Sequence, residues 1–530
     1  MFFILLVLTR NIFHLTFLFT TAWASCRHTL NHLTQTNTKN GRAYYLTVSG
    51  NDATDGSKNK PWKTITKLNS IALHAGDTVY FAGGQTFTGS ILLDSNDKGA
   101  KESPVVLTSY GAVNAVIDAG GATALSMYKT AYVNITHLHF TGSGRKTGNT
   151  KDGVIINSSN HIFIDSLSIN GFQKSGLLIY MSSDADINRV HAYDNGSAGI
   201  LINGQSDKND CRNIFIRHCF AENNPGDPTN FTNHSGNGIL AGMCRNVTIE
   251  YCSATNNGWD MPRTGNGPVG IWVYEADSVI IQHCISYRNK THLGASDGGG
   301  FDLDGGVTNS IIQYCLSYEN QGSAFGIFQY SGASSWYNNT VRFCISENDG
   351  AVTANCAAML IWNSSRDTSQ FRDFFFYNNT IYNARAPAIA YASQSENAGF
   401  RFYNNIFVGN DSIITGKETN STYLGNNWYS LKSGFNIDGF TNFQTWTNTF
   451  NKEKLNNRAT GFNINPSFTD PGNSTITDPI LLSACNNYHL PESSVLKNSG
   501  LDILLLFMIN NSGKTFNGTG ANSKGIGAMD

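Results

Sequence analysis

The sequence predicts an all-β protein whose chain winds into a right-handed parallel β-helix with a cap at each end. One observation is a short apolar line, of the form apolar-x-Ile-x-x-(Cys or Leu), that recurs at intervals of roughly 30 residues. A second is a companion strand in most repeats that opens with Gly or Ala. A third is a composition rich in turn formers, with 52 Gly among 530 residues. Because one such repeat cannot bury its own apolar residues, successive repeats must stack, about 4.8 Å apart.

The composition also limits the partners that can be expected. Charged residues make up only 14% of the chain and the formal net charge is −2. A protein that binds nucleic acid usually carries a basic patch or stripe, so we expect no nucleic-acid partner. Although 530 residues would allow several domains, the continuous repeat predicts a single solenoid, which we expect to be a monomer.

The chain begins with a predicted secretory signal peptide over residues 1–24. Its apolar runs end in Ala22-Trp23-Ala24, a small-x-small cleavage pattern. A membrane anchor is the alternative, and Cys26 could carry a lipid. No later run reaches the ~20 apolar residues of a membrane span. The protein is therefore predicted to be secreted or held at the cell surface.

An opening segment over residues 42–130 is predicted to form the N-terminal cap and the first coils. It contains short strands and a stretch with helical spacing, Trp62–Leu73, that could cover the open first edge of the helix. Residues 411–530 lose the regular line and are predicted to close the last coil as an irregular C-terminal cap. A small separate β domain is the alternative there.

The repeat itself occupies residues 131–410. Its copies of the core line are Val133–Leu138, Ile162–Leu167, Ala185–Val190, Ile214–Cys219, Val247–Cys252, Val279–Cys284, Ser310–Cys315, Asn339–Cys344, Phe374–Asn379 and Phe400–Asn405. In a stack, the cysteines that end five of these copies form an inward row of small apolar side chains. A line of thiols suits neither disulfides, which would be strained between stacked strands, nor a tetrahedral metal site. Asn379 and Asn405 are expected to extend the row as an amide ladder.

The companion strand Gly300–Asp304 carries the most informative residues. In a strand, residues two apart share a face, so Phe301 and Leu303 should face the core while Asp302 and Asp304 face outward. Burying two like charges together is costly, so this acid face should be exposed to solvent or should hold a cation.

Outward aromatic residues flank the acid pair in the neighbouring coils. They are Trp272, Tyr274, Phe328, Tyr330 and Trp362. A contiguous strip of this kind beside carboxylates suits a sugar chain, because rings stack on sugars and acids act on the glycosidic bond. The alternative is that a loop or the terminal cap covers the rings. Glu275, Lys290, His292 and Asp297 lie in nearby loops, and Asp297 is the best third acid.

The opening motifs resemble those of the pectin-lyase-like superfamily of secreted β-helix proteins. The motifs are Tyr44–Gly56, Pro61–Thr64 and Ala75–Val79, and the resemblance covers roughly residues 43 to 410. It implies the fold, and it leaves the reaction open among hydrolases, lyases, epimerases and binding proteins.

Two subfamilies are similar at the acidic strand. Asp302-Leu303-Asp304-Gly305 resembles the acidic strand of polygalacturonase-like hydrolases, although their other motifs are not visible. Asp297–Phe301 is similar to a strand of family-9-type pectate lyases, which bind calcium and use a lysine as base. The resemblance would make Asp297, Asp302 and Asp304 the calcium ligands and Lys290 the base. The next coil, Glu319–Phe325, lacks the second acidic pair of those lyases.

These observations lead to a secreted enzyme acting on a polysaccharide or oligosaccharide. The preferred reaction is glycoside hydrolysis without a cofactor, with Asp302 and Asp304 as acid and base and Asp297 assisting. Substrate binding is assigned to Trp272, Tyr274, Glu275, Lys290, His292, Phe328, Tyr330 and Trp362. The alternatives are calcium-dependent elimination from a uronate polymer, and carbohydrate binding without catalysis.

Overall fold

The computed structural model describes residues 41–354, 356–418, 420–510 and 513–529. The predicted signal peptide and Cys26 lie outside the described residues. Within them, no helix is long and apolar enough to span a membrane.

The described chain is a parallel β-helix with three strands per coil, which confirms the predicted fold class. Each strand pairs in parallel with its counterpart one coil further along, so three long parallel sheets run the length of the solenoid. We call them the first, second and third sheets.

The first sheet, which carries the acidic strand, is built from short strands. They are Ile91–Leu93, Leu125–Tyr128, Val154–Asn157, Leu177–Tyr180, Ala198–Asn203, the first parts of Asn237–Glu250 and Val269–Gln282, Gly299–Leu303, Phe325–Gln329, Met359–Asn363, Ile389–Tyr391 and Ile414–Thr415.

The second sheet contains most of the repeated core line. Its strands are Ala43–Leu46, Thr78–Ala82, Val105–Tyr110, Ala131–Thr136, the first parts of Asn160–Asn170 and Ser183–Tyr193, Cys211–Arg217, the later parts of Asn237–Glu250 and Val269–Gln282, Ile311–Gln313, Trp336–Arg342, Phe371–Tyr377, Ala398–Tyr403 and Thr422–Leu424.

The third sheet follows a sharp corner after the second. Its strands are Thr86–Thr88, Ala115–Asp118, Leu138–Thr141, the ends of Asn160–Asn170 and Ser183–Tyr193, Phe220–Glu222, Ser253–Thr255, Ile285–Tyr287, Leu316–Tyr318, Ile345–Glu347, Thr380–Tyr382, Ile406–Gly409 and Asn427–Ser430.

The remaining elements are few. The helices are Ile65–Leu68, Phe443–Phe450 and Ile503–Phe507, with 3-10 turns at Pro479–Ala484 and Val495–Lys497 and a small antiparallel pair, Lys454–Leu455 with Arg458–Ala459. The helix predicted within Trp62–Leu73 is thus a single turn.

The corner between the second and third sheets repeats one backbone geometry. The residue before each cysteine of the row is left-handed, as at His218, Tyr251 and His283, with φ of 51° in all three. Their rings stack outward along the solenoid, with centroids 5.3 Å apart for His218 and Tyr251 and 4.9 Å for Tyr251 and His283. The cysteines themselves point inward, and all five are buried with free thiols, as predicted: Cys219, Cys252, Cys284, Cys315 and Cys344.

Two asparagine ladders run inside the solenoid. The predicted one passes from Asn379 through Asn405 to Asn426, each Nδ2 donating to the next Oδ1 at 2.9–3.1 Å. The other, which sequence analysis missed, contains Asn195, Asn224, Asn257, Asn289 and Asn320. Each ladder ends on a carboxyl group that accepts from the last amide, Glu453 in the first and Asp349 in the second. Burial raises the pKa of both carboxyl groups to about 7.

The C-terminal segment differs in two ways from a plain cap over residues 411–530. Its strands up to Ser430 add a further coil, so the β-helix extends beyond residue 410. The helix Phe443–Phe450 then covers the end of the core, where the ring centroids of Trp446 and Trp428 lie 5.7 Å apart.

The rest of the segment turns back along the outside of the third sheet. Buried Glu347 anchors it there, accepting hydrogen bonds from Ser474 N–H at 3.0 Å and from Tyr488 Oη at 2.5 Å. The apolar residues of residues 468–529 pack on strands of the third sheet such as Ile345–Glu347. These contacts are made with the third sheet, so they leave the first sheet uncovered.

Candidate active site

A groove of about 730 Å³ lies along the first sheet at the acidic strand. Its lining contains three carboxyl groups, five aromatic rings and residues of two long loops. The lining residues are Asn233, His234, Arg263, Gly265, Asn266, Gly267, Val269, Trp272, Tyr274, Ser296, Asp297, Asp302, Asp304, Phe328, Tyr330, Leu360 and Trp362. The predicted acids and aromatic residues are thus brought together.

The acidic strand has the predicted alternation of faces. Phe301 and Leu303 are fully buried in the core, and Asp302 and Asp304 line the groove. The expectation that both acids face solvent is wrong for Asp302, whose exposed fraction is only 3% because it lies at the floor between neighbouring coils. Asp304 and Asp297 are half-buried and remain accessible.

The neighbouring coils explain why Asp302 is so covered. It is in register with Trp272 on one side and with Gly326 on the other. A Cβ atom at Gly326 would come within 2.9 Å of Asp302 Oδ1. Any residue other than glycine would therefore force the Asp302 carboxyl or the backbone to move. Asp302 Oδ1 is buried and has no hydrogen-bond partner among the described residues.

The companion strands Gly300–Asp304 and Gly326–Tyr330 both open with glycine, but the two glycines do not pair. Gly326 pairs with Asp302, two residues away from an alignment of glycine with glycine. A shift of two residues keeps every side chain on its predicted face. It places Phe328 in the row of Asp304 and Trp362, and Tyr330 beyond the strand, where its ring lies over Gly305.

Hydrogen bonds hold the two accessible carboxyl groups. Asp297 Oδ2 accepts from Gly267 N–H at 2.8 Å, and Asp304 Oδ1 accepts from Gly305 N–H at 2.7 Å. Asp297 is also left-handed, with φ of 61°, an uncommon conformation for a residue with a side chain. Each carboxylate therefore has one fixed oxygen.

The three carboxyl groups have raised and unequal pKa values. Burial raises the pKa of Asp297 to about 6, against the opposing effect of the Gly267 hydrogen bond. Burial raises that of Asp304 to about 7, with the charges of Asp297 and Glu275 adding to the effect. Burial and the charges of Asp304 and Asp297 raise the pKa of Asp302 well above its usual range. Burial therefore favours the protonated form of Asp302, whereas the lower pKa of Asp297 favours its ionised form near neutral pH.

The aromatic residues form two walls with different exposure. Trp272 is only 4% exposed, packed with Leu240 and Val269, and its Nε1–H donates to Asn237 Oδ1 at 3.0 Å. It is a rigid wall of the groove more than an open stacking surface. Tyr274, Phe328, Tyr330 and Trp362 are half-buried, and the Phe328 and Trp362 rings meet edge to face at 6.1 Å.

Three of the predicted binding residues lie elsewhere. Glu275 lines an adjoining depression, where Ser334 N–H donates to its Oε1 at 2.8 Å. Lys290 lies in a depression with Arg288, Glu319 and Arg385. His292 is outside the groove lining, and its Nδ1 lies 2.8 Å from the carbonyl oxygen of Leu293. Lys290 and His292 lie on the loop before Asp297, of which only Ser296 and Asp297 line the groove. Glu275 lies on the strand Val269–Gln282 and lines the adjoining depression.

Sequence analysis missed His234 and Asn237 at the loop end of the groove. Asn237 is buried, and its Oδ1 accepts from Trp272 while its Nδ2 lies 3.1 Å from His234 Nδ1. Burial and the charge of Arg263 lower the pKa of His234 to about 4. No motif marks these residues. His234 lies on the long loop that precedes the strand beginning at Asn237, and the repeat does not specify the course of that loop.

Among the described residues, no group of three or more His, Cys, Asp or Glu side chains is arranged to hold a metal ion. The set Asp297, Asp302 and Asp304 therefore does not form a compact cation site in this arrangement.

The fold and groove define a right-handed parallel β-helix protein with an acidic, aromatic-lined cleft. The chain belongs to the Pel9A-like right-handed β-helix family, whose model matches residues 44–350. The predicted resemblance to pectin-lyase-like proteins is thereby confirmed.

Comparison with known proteins gives relatives of two kinds. A lacto-N-biosidase of Bifidobacterium longum subsp. longum is 28% identical over 143 residues, which are 26% of this chain and 9% of that protein. The chain thus matches less than a tenth of the length of this curated relative. Among solved structures, a GH136 lacto-N-biosidase from Eubacterium ramulus is similar with a TM-score of 0.50 at 15% identity, over 75% of this chain and 68% of that one. Pectate lyase Pel9A has a TM-score of 0.43 at 13% identity, over 92% and 97% of the two chains.

Proposed function

We propose that this protein is a carbohydrate-active enzyme that hydrolyses a glycosidic bond in the groove of the first sheet. The observation that carries the proposal is the set of carboxyl groups with unequal pKa values on the floor of an aromatic-walled groove. Rings bind the apolar faces of sugars, and two carboxyl groups are the usual apparatus of glycoside hydrolysis. The name of the lacto-N-biosidase relative supports this class of reaction.

Solvent access divides the roles of the three acids. Asp304 and Asp297 are accessible, so they are assigned the proton transfers, in place of the pair Asp302 and Asp304 favoured by sequence. Asp304, with the higher pKa of the two, protonates the glycosidic oxygen as its bond to the anomeric carbon breaks. Asp297, ionised and held by Gly267 N–H, acts on the opposite side as base or nucleophile. Water supplies the hydroxyl of the new reducing end.

Asp302 has a supporting role in this proposal. Burial and the charges of Asp304 and Asp297 favour its protonated form, which adds no charge to the floor of the groove. Asp302 lies two residues before Asp304, so their Cα atoms are about 6.6 Å apart in an extended strand. The preferred reaction needs no cofactor. Calcium-dependent elimination would need a cation site and a base in the groove, and Lys290, the base that sequence suggested, lies in another depression.

The test is a panel of plant and algal polysaccharides and their oligosaccharides, assayed with two readouts. Hydrolysis releases reducing ends without ultraviolet absorbance and is unaffected by a chelator. Elimination gives an unsaturated, absorbing product and stops in chelator. A protein that only binds carbohydrate gives neither signal, and this result would end the catalytic proposal.

The pH dependence of the reaction follows from the two assigned acids. The rate should fall below about pH 6, where Asp297 is protonated, and above about pH 7, where Asp304 is ionised. Since the Glu275 charge raises the pKa of Asp304, Glu275→Gln should move the alkaline limb of the kcat/KM profile to lower pH. Glu222→Gln, an exposed acid outside the groove, should leave the profile unchanged. An alkaline limb that stays in place in Glu275→Gln would contradict the assignment of Asp304.

A further inference from the structure

The loop end of the groove carries a group of hydrogen-bond donors that the proposed reaction does not use. Arg263 and His234 line the groove there, on the loops 256–268 and 223–236 between the third and first sheets. They lie beyond the Trp272 wall, whose ring meets that of His234 at 4.9 Å.

Hydrogen bonding fixes which His234 nitrogen carries the proton. Asn237 Oδ1 accepts from Trp272 Nε1–H, and Asn237 Nδ2 donates to the Ser197 carbonyl at 3.1 Å, so the orientation of this buried amide is set. The same Nδ2 lies 3.1 Å from His234 Nδ1, which must therefore accept. A neutral His234 then carries its proton on Nε2 and can only donate there.

Arg263 adds a positive charge that has no carboxylate partner. One Nη donates to the Thr232 carbonyl at 2.7 Å, and in the described part of the chain no ion pair involves Arg263. Asp297, Asp302 and Asp304 line the same groove, and none of the ion pairs among the described residues joins one of them to Arg263. A guanidinium lining a groove with free donors matches a planar or tetrahedral oxyanion.

We propose that Arg263 and His234 form a subsite for a negatively charged substituent of the sugar, a carboxylate or a sulfate ester. The Arg263 guanidinium and His234 Nε2–H offer donors and no acceptor, so these two side chains favour a group that only accepts hydrogen bonds over a hydroxyl, which must also donate. The inference rests on the proposed function for its choice of a carbohydrate ligand. It makes Arg263 the residue that determines charge specificity.

The experiment measures binding by calorimetry, so that it does not depend on turnover. The ligands are matched pairs: uronate-containing oligosaccharides with their carboxyl-reduced forms, and sulfated oligosaccharides with their desulfated forms. The proteins are the wild type, Arg263→Gln, Arg263→Lys and a control, Arg245→Gln. Arg245 is an exposed arginine in the adjoining depression, so its replacement removes the same charge outside the groove.

For one of the two anions, the wild type should bind the charged member roughly 10- to 100-fold more tightly than its neutral partner, the range for a hydrogen bond to a charged group. Arg263→Gln should abolish the difference, Arg263→Lys should keep part of it, and Arg245→Gln should keep all of it. The pair that shows the difference identifies the anion as carboxylate or sulfate.

Equal affinity within every pair, no binding of any anionic member, or an equal loss in Arg245→Gln would overturn the proposal. Reducing ends measured on the same ligands keep the two proposals apart. Charge-selective binding without hydrolysis would contradict the proposed reaction and support the subsite. Hydrolysis of the neutral members with no charge preference would support the reaction and contradict the subsite.

Discussion

Asp304→Asn should lower kcat by roughly 10²- to 10⁴-fold with little change in KM, the usual loss when a general acid is removed. The amide keeps the shape of the carboxyl and can still lie beside Gly305 N–H, but it cannot supply a proton to the leaving oxygen. The measurement is steady-state kinetics on the best substrate of the polysaccharide panel. Circular dichroism and the unfolding midpoint establish that the variant is folded.

Variants of the other two acids test whether Asp297 or Asp302 is the catalytic partner of Asp304. Asp297→Asn should lose a similar factor, because the ionised group is replaced by a neutral one. Asp302→Asn should lose less than roughly tenfold, because this carboxyl is only 3% exposed and performs no proton transfer in the scheme. Asp194→Asn, which replaces an exposed acid outside the groove lining, is the matched control. If Asp302→Asn were as damaging as Asp304→Asn while Asp297→Asn stayed active, the pair assigned from sequence would be right and the assignment by solvent access wrong.

Asn257→Ala should produce a large loss of stability with no change in the residues of the groove. Asn257 is fully buried at the centre of the longer asparagine ladder. Its Oδ1 accepts from Asn224 Nδ2 at 2.9 Å, and its Nδ2 donates to Asn289 Oδ1 at 2.9 Å. Alanine leaves both neighbours without that partner in a site closed to water. At roughly 1–3 kcal/mol for each of the two orphaned groups, the free energy of unfolding should fall by roughly 2–6 kcal/mol.

Denaturant unfolding followed by tryptophan fluorescence measures this loss. Asn448→Ala is the control, since Asn448 is exposed on the helix Phe443–Phe450 and its replacement removes an amide without disturbing a ladder. Because stacked coils interact mainly with their neighbours, the transition of Asn257→Ala can also broaden. An unfolding midpoint equal to that of the control would show that the ladder contributes little.

The fold could be predicted from sequence because the β-helix repeats one physical requirement in every coil. Residues such as Ile249 and Ile281 must fill the same interior position, so the apolar line and the cysteine row are visible in the chain. The alternation at Phe301 and Leu303 likewise determined which face the acids occupy. An alignment of Gly326 with Gly300 is two residues out of register, but it still places each side chain on the correct face of the sheet.

The parts that could not be predicted are those that the repeat does not constrain. The burial of Asp302 depends on Trp272 in one adjacent coil and on Gly326 in the other, which requires the true register. His234 and Arg263 enter the groove from long loops without periodicity. The C-terminal segment packs along the third sheet through individual contacts such as that of Glu347 with Tyr488. No local sequence pattern predicts a contact between residues so far apart in the chain.

The most direct test is to run the reaction in oxygen-18-labelled water and to analyse the products by mass spectrometry. If the groove hydrolyses a glycosidic bond, each cleavage places one solvent oxygen in a saturated product, and Asp304→Asn suppresses this labelled product. Cleavage that yields an unsaturated sugar carrying no solvent oxygen would mean that these carboxyl groups do not add water across the bond.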